Sequence, residues 1–157
     1  MTGTLSGIFI ADAAGAPMRS MEAAELVSGR GIVGDRYLTG TGTFSPTAKK
    51  PSQEVTLLEA EQVDTYNHAT GASLRPEQLR RNLVTLGVRL NDLVGVEFCV
   101  GPVVLRGIRL CEPCAYLAGL TETSVIGGLT HRAGLRAAIV TGGVVAVGDA
   151  IVLRATT

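Results

Sequence analysis

Short runs of apolar and β-branched residues, separated by turns that contain glycine, dominate the chain. Runs of this kind are typical of β-strands. They are GTLSGIFI (3–10), QEVTLLEA (53–60), NLVTLGV (82–88), VEFCVGPVVLRGIRL (96–110) and LRAAIVTGGVVAVGDAIVL (135–153). A Gly-Pro turn divides the fourth run into two strands, and TGG and VGD divide the fifth into two or three. Strands packed this densely, with short turns, predict a mainly β protein built as a closed or nearly closed barrel.

Helical patterns are fewer than strand patterns. LEAEQVDTYNHATG (58–71) has apolar or small residues near helical spacing and ends at Gly71. RPEQLRRN (75–82) predicts one or two helical turns. CEPCAYLAGL (111–120) could open a helix with Pro113 at its first position, where the missing N–H costs nothing. Because strands do not alternate with long helices, the sequence argues against a doubly wound α/β sheet.

The segment 39–52, TGTGTFSPTAKKPS, is the one clear predicted loop, because it combines Gly, Thr, Pro and Lys with almost no apolar residue. A long loop in a compact protein often serves as a lid or a binding loop. No internal repeat or linker interrupts the rest of the chain. At 157 residues, the chain is therefore expected to form a single domain over 1–157, with a flexible loop at about 39–52.

The composition excludes several classes of function. Lys plus Arg is 14 and Asp plus Glu is 14, a balance that argues against non-specific binding to nucleic acid or to a membrane surface. Aromatic residues make up only 4% and Trp is absent, which weakens any model of base stacking. No apolar run approaches the ~20 residues of a membrane span, and the first apolar run lacks the basic flank of a signal peptide. We therefore expect a cytoplasmic protein with reduced cysteines.

The motif CEPC contains Cys111 and Cys114, and three chemistries fit it. A structural zinc site would need four ligands, and the remaining candidates are His68, Cys99 and His131. A dithiol redox pair fits the CxPC spacing, although such motifs normally follow an early strand of a βαβ unit. In the third interpretation, Cys114 alone acts as a thiolate in the first turn of a helix. It would ligate a soft metal or carry a persulfide.

Arginines cluster at two places and could hold an anion. The RRN motif puts Arg80, Arg81 and Asn82 just before a predicted strand, and the planar guanidinium fork matches phosphate oxygens. THRAGLRA (130–137) adds His131, Arg132 and Arg136. If this stretch is helical, its two arginines share one face, where a bound anion would offset their repulsion.

The stretch GRGIVGDRY (29–37) contains three glycines, which imply tight turns or close approach of the backbone to a ligand. It also contains Asp35 and Arg36. The simplest interpretation of these two residues is a β-turn with an ion pair. The stretch matches neither the P-loop nor the dinucleotide-binding motif.

Several of these stretches follow one another in a familiar order: GIVGDRY, VTLLEAE, RRNLVTLGVRLNDLVG, GPVVLRGIRLCEPC, HRAGLRA and a late GD. Together they resemble the MOSC domain, the family named after the C-terminal domain of molybdenum cofactor sulfurases, in its stand-alone bacterial form. The resemblance extends over roughly residues 7–153. It implies a β-barrel with a few short peripheral helices, in agreement with the strand pattern. Members bind the molybdenum cofactor (molybdopterin) or are thought to carry sulfur.

The resemblance also implies roles for individual residues. In the amidoxime-reducing members, a cysteine matching Cys114 ligates molybdenum, so Cys114 is the implied metal ligand and catalytic residue. Asp35 is the second candidate catalytic residue, because it could orient Arg36 or donate a proton. The candidate contacts to the cofactor, including its phosphate, are Arg36, Arg80, Arg81, Asn82, His131 and Arg132.

The activity implied is the reduction of small N-hydroxylated compounds. The chain has neither the four cysteines of a ferredoxin nor a flavin fingerprint, so electrons would come from a separate donor protein. The alternative is a sulfur carrier or cofactor-handling module, in which a cysteine desulfurase loads a persulfide onto Cys114. A small dithiol oxidoreductase using Cys111 and Cys114 is a third hypothesis. No nucleic acid or membrane partner is expected.

Overall fold

A computed structural model describes residues 2–13, 15–39, 54–111 and 132–154. The strands are β1 (Thr2–Ile10), β2 (Arg19–Met21), β3 (Ala23–Val27), β4 (Gly31–Ile32), β5 (Val55–Glu59), β6 (Leu83–Leu86), β7 (Glu97–Val100), β8 (Val103–Leu110), β9 (Leu135–Thr141), β10 (Gly143–Ala146) and β11 (Ala150–Leu153). The helices are α1 (Arg36–Thr39) and α2 (Ala60–Thr70), with 3₁₀ turns at Pro76–Leu79 and Leu90–Leu93. No helix in these ranges is long and apolar enough to cross a membrane.

Seven of these strands close into a barrel, as the sequence predicts. Their order around the ring is β1, β6, β5, β9, β8, β7 and β11, and β11 pairs with β1 to complete it. Neighbouring strands are antiparallel, except for the parallel pair β5 and β6. β2 pairs with the last three residues of β1, Ile8 to Ile10. The two or three strands expected in residues 135–153 are the three strands β9, β10 and β11.

The barrel closes because one side of each strand is apolar. In β7, for example, Phe98 and Val100 are fully buried in the main core, whereas Glu97 and Cys99 alternate with them and are partly exposed. The same core includes Leu5, Ile8, Val55, Leu57, Leu83, Leu105, Leu135, Ala137, Ile139 and Ile151. Alternation of this kind sends every second side chain to the same face of a strand. The interior of the barrel is therefore filled with side chains.

A second apolar cluster covers the outer face of β5. It combines Leu58 with Val63 and Tyr66 of α2, with Leu74 and Leu79 of the segment after α2, and with Ala133 just before β9. The predicted end of α2 is confirmed: Gly71 has φ of 73° and its N–H donates to the Asn67 carbonyl. The left-handed conformation explains why glycine stands there. The RPEQLRRN stretch forms the single 3₁₀ turn at Pro76–Leu79.

A smaller sheet, in the order β10, β3, β4, accompanies the barrel. The sequence pattern did not predict β2, β3 or β4. The RSMEAAELV stretch that supplies β2 and β3 is rich in Ala, Glu and Leu, which favour helices when taken alone. Pairing of β3 with β10, in register from Ala23–Ala146 to Leu26–Gly143, decides its conformation instead. Local propensity is a weak signal where tertiary pairing is available.

Candidate functional site

Strand ends from both rims of the barrel come together beside β5, because β6 runs parallel to β5 and β9 runs antiparallel to it. The register pairs Ile8 near the end of β1 with Leu83 at the start of β6, and Leu110 at the end of β8 with Leu135 at the start of β9. Leu57 of β5 is in register with both Leu83 and Leu135. We call the residues around these strand ends, with the Asp35 and Arg36 that bond to Ala11, the polar end; they are Ala11, Asp35, Arg36, Arg80, Arg81, Asn82, Cys111 and Ala133. Hydrogen bonds join most of them to one another.

Asp35 and Arg36 form a buried ion pair at the polar end. The Arg36 Nη1 lies 3.0 Å from the Asp35 Oδ1, and the two residues are 4% and 0% exposed. The same Oδ1 accepts a hydrogen bond from the Ala11 N–H at 3.0 Å, and the Arg36 N–H donates to the Ala11 carbonyl at 2.7 Å. The pair therefore fastens the glycine-rich stretch to the end of β1. The ion pair expected from the sequence is present, although it begins the short helix α1.

Arg80 has an unusual backbone conformation. Its φ and ψ are 62° and 34°, and it is the one non-glycine residue with positive φ in the described ranges. Its carbonyl accepts a hydrogen bond from the Arg36 Nη2 at 3.0 Å. Its own Nη1 donates to the Ala16 carbonyl at 2.6 Å. Arg80 is half-buried, so the residue retains contact with solvent.

Arg81 and Asn82 are buried and bonded to the backbone. Arg81 is 7% exposed and donates to three carbonyls, those of Leu79, Cys111 and Ala133. Asn82 is fully buried; its Oδ1 accepts from the N–H and the hydroxyl of Thr56, and its Nδ2 donates to the Phe9 carbonyl. These contacts join β1, β5, β8 and β9 at the polar end. The assignment of both residues as cofactor contacts stays a prediction.

The other predicted site residues lie near or beyond the described chain. Cys111 follows β8 directly, is 1% exposed, and donates its N–H to the Gly134 carbonyl at 2.8 Å. Arg132 is exposed two residues before Gly134. Cys114 and His131 lie outside the described residues, as do the predicted helix at CEPCAYLAGL and nearly all of the predicted loop 39–52. The helix considered for THRAGLRA is absent from its described part, because Arg136 belongs to β9 and lies opposite Arg109.

Two buried polar residues at this end were not singled out from the sequence. Glu54 is 5% exposed, and its Oε1 accepts hydrogen bonds from the N–H groups of Gly29 and Ile139. Thr56 is 1% exposed and pairs with Asn82. Both alternate with the buried Val55 and Leu57, a pattern that normally indicates a solvent face. That face of the strand is polar, but neighbouring segments cover it, so Glu54 and Thr56 are buried.

Fold and site together define a small closed barrel whose polar end is rich in arginine. The sequence model of the MOSC domain matches residues 45–152, more than half of the chain. The chain therefore belongs to the MOSC domain family, as the resemblance indicated. No curated protein matches the chain significantly.

Solved structures share this fold. The YUAD protein from Bacillus subtilis is 19% identical with a TM-score of 0.84, covering 100% of this chain and 98% of that one. YiiM from Geobacillus stearothermophilus is 12% identical with a TM-score of 0.75, covering 98% and 75%. YiiM from Escherichia coli is 16% identical with a TM-score of 0.67, covering 100% and 71%. At these identities the likeness concerns the fold alone.

The MOSC family is associated with molybdenum cofactor binding. The donor set at the polar end fits the anionic phosphate of such a cofactor. Three of the residues that define the polar end are arginines and one, Asp35, is a carboxylate, although the whole chain has no formal net charge. A local excess of guanidinium groups attracts and can bind phosphate.

Proposed function

We propose that this protein binds the molybdenum cofactor at its polar end and reduces small N-hydroxylated compounds with electrons from a separate donor protein. One observation carries the proposal. Three arginines of an electrically neutral chain lie together at the polar end, and Cys111, in the same cluster, precedes Cys114 by three residues. A phosphate-binding end beside a cysteine is the combination that a phosphorylated pterin with a thiolate-ligated metal requires.

The described arginines differ in how they could serve the cofactor. Arg132 is exposed, so a phosphate can reach its guanidinium group. Arg80 is half-buried as a residue, with its Nη2 enclosed and its Nη1 bonded to the Ala16 carbonyl, so its guanidinium is held in place at the polar end. Arg36, Arg81 and Asn82 are buried and bonded to the backbone, which supports a role in shaping the site around the phosphate. His131 is expected to assist because it adjoins Arg132.

Cys114 is the proposed ligand to molybdenum. It follows Cys111 by three residues, so the extended chain limits the distance between their Cα atoms to about 11 Å. Cys111 is itself at the polar end, where its carbonyl accepts a hydrogen bond from Arg81. When bound, the cofactor would supply a metal centre able to pass two electrons to the N–O bond of the substrate. The chain binds and orients the groups that meet there.

Asp35 is better suited to orientation than to proton donation. Its carboxylate is fully buried and already accepts hydrogen bonds from Ala11 and Arg36. A proton donor must lie within hydrogen-bond reach of the substrate or of a connecting water. We therefore assign Asp35 to holding Arg36, the first of the two roles that the sequence left open.

The burial of Cys111 favours a single working thiol over a dithiol pair. Cys111 is 1% exposed, whereas thiol–disulfide exchange requires access to an attacking thiolate. Replacement of Cys111 by Ala should therefore preserve function. Replacement of Cys114 by Ser should abolish it.

Metal and pterin content test this proposal directly. Wild type, Cys114→Ser and Cys111→Ala would be produced in a host that makes the molybdenum cofactor, and then assayed for molybdenum, zinc and oxidised pterin fluorescence. We expect molybdenum with pterin in the wild type and in Cys111→Ala, and loss of molybdenum in Cys114→Ser. Reduction of a model amidoxime with an artificial electron donor should follow the molybdenum content.

Other outcomes point to the alternatives. A wild type without molybdenum or pterin would reject the cofactor proposal. A mass increase of one sulfur atom on Cys114, after incubation with a cysteine desulfurase, would then favour the sulfur carrier. Equal loss of function in the Cys111 and Cys114 variants would favour the dithiol oxidoreductase.

A further inference from the structure

The strained backbone of Arg80 is the starting point. A residue with a Cβ in the left-handed region pays a steric cost that glycine avoids, and asparagine tolerates it better than arginine does. Strained conformations of this kind persist only where surrounding contacts enforce them, and they concentrate at functional sites. An arginine at this position is therefore expected to have a role for its side chain, and neighbouring contacts are expected to hold its backbone.

The turn at Arg80 separates two consecutive guanidinium groups. The Arg80 N–H closes the 3₁₀ turn on the Glu77 carbonyl at 3.1 Å. Beyond that turn, the Arg80 side chain bonds to Ala16, whereas the Arg81 side chain bonds to Cys111 and Ala133. The two arginines thus contact two different segments of the polar end. Arg80 is the more exposed of the two as a residue, although its Nη2 is buried.

The restraint comes from Arg36. Its guanidinium bridges two acceptors, with Nη1 on the Asp35 carboxylate and Nη2 on the Arg80 carbonyl, each at 3.0 Å. Asp35 is fixed in turn by the Ala11 N–H at the end of β1. Arg36 is 4% exposed, so it can hold the Arg80 backbone without itself meeting a ligand. A planar fork is suited to bridging two fixed oxygens, and a lysine ammonium is less so.

We propose that Asp35 and Arg36 are positioning residues that hold the Arg80 backbone in its left-handed conformation, so that the Arg80 guanidinium is fixed for binding a phosphate. This inference rests on the proposed function, because it assigns Arg80 to the phosphate of the cofactor. It distinguishes Arg80, which binds the phosphate, from Arg36, which positions Arg80. The binding contribution of Arg80 should then depend on Arg36.

A double-mutant cycle with inorganic phosphate as the probe tests this dependence. The variants are Arg36→Lys, which keeps the charge beside Asp35, Arg80→Gly, which permits the turn without a guanidinium, and their combination. Isothermal titration and the ¹⁵N–¹H signal of the Arg80 side chain would report binding. Each single variant should weaken phosphate binding about tenfold, and the double variant should be no weaker than either. In Arg36→Lys, the Arg80 signal should shift before any phosphate is added.

The control variant is an arginine substitution away from the polar end. Arg106→Met removes an exposed arginine of β8 and should leave phosphate affinity and the Arg80 signal unchanged. The inference is overturned if Arg36→Lys binds phosphate as the wild type does. It is also overturned if the factor by which the double variant weakens phosphate binding equals the product of the two single-variant factors. It is also overturned if the wild type does not bind phosphate.

The cofactor proposal can fail independently. Molybdenum and pterin would be measured in the same variants. If molybdenum content is normal but the two substitutions have additive effects on the free energy of phosphate binding, only the positioning role of Asp35 and Arg36 is rejected. Non-additive phosphate effects in a protein that never acquires molybdenum or pterin would retain the positioning role and reject the cofactor.

Discussion

The barrel wall and the polar end are held together by different forces. The wall consists of paired strands around an apolar interior, so its backbone groups are satisfied by the sheet and its side chains only need to pack. At the polar end the pairing stops, and the side chains of Asp35, Arg36, Arg81 and Asn82 bond to backbone groups instead. Buried charge is costly unless it is paired and hydrogen-bonded. The polar end meets that condition and retains charge where a ligand can use it.

Two neighbouring arginines illustrate the same difference within the polar end. Arg81 is almost completely buried and donates to the backbone carbonyls of Leu79, Cys111 and Ala133. Arg80 is half-buried in a strained turn. Arg81 therefore joins segments, as the wall does, whereas Arg80 is the arginine that we assign to phosphate binding. Adjacent residues of one type can thus serve structure and binding separately.

The largest expected effect lies in the wall. Phe98→Ala should lower the free energy of unfolding by about 3–5 kcal/mol, because it removes a fully buried aromatic ring and leaves a cavity. Phe98→Leu should cost less, since it fills most of the space. Urea unfolding measures both. Phosphate affinity per folded molecule should not change; a large loss of affinity in Phe98→Leu would show that wall and polar end are coupled.

A somewhat smaller effect is expected at the polar end. Arg81→Met should lower the free energy of unfolding by about 3 kcal/mol. The reason is that the carbonyls of Leu79, Cys111 and Ala133 lose a charged donor while remaining buried. The methionine still fills the space of the aliphatic stem. The matched control is Arg106→Met, whose exposed pair with Glu97 should contribute much less. Equal costs for the two variants, measured by thermal unfolding, would contradict the distinction between buried and exposed arginines.

The smallest effects concern two carboxylates of opposite behaviour. Burial raises the pKa of Glu59, against the opposing hydrogen bonds from Leu90 and Gln62. The hydrogen bond from Arg106 lowers the pKa of Glu97. A raised pKa means that the folded state binds the proton more tightly, so the cost of Glu59 to stability develops as the pH rises from its unfolded pKa through its folded pKa. A lowered pKa means that Glu97 adds stability above its unfolded pKa and loses it as the pH falls through the folded pKa.

Conservative variants separate the two contributions. Glu59→Gln should be slightly more stable than the wild type at neutral pH, and the advantage should vanish on acidification. Glu97→Gln should be slightly less stable at neutral pH, and this difference should also vanish in acid. Urea unfolding between about pH 4 and pH 7 covers the range in which carboxylates titrate. The assignment is refuted if the difference in unfolding free energy from the wild type changes with pH in the same direction for both variants.

The strand pattern was sufficient to predict the barrel but not the polar end. The runs around Ile8, Leu57, Leu83, Leu105 and Ile139 each alternate or cluster apolar residues strongly enough to indicate strands, and all of them line the core. Glu54 and Thr56 were missed, because a polar face on a strand ordinarily indicates solvent. The strands β3 and β4 were missed because their residues show no strand pattern before they pair with each other and β3 pairs with β10. Pairing partners distant in the chain leave no local signal.

The sequence by itself determined the class of fold, the family and the residue types available for chemistry. It did so because hydrophobic periodicity and the order of motifs are properties of the chain alone. Only the tertiary structure decided how those residues divide their roles. Burial and hydrogen-bond partners depend on which segments meet in space, and they distinguish the enclosed Arg36 and Arg81 from the half-buried Arg80. The division between binding and positioning arginines follows from that arrangement.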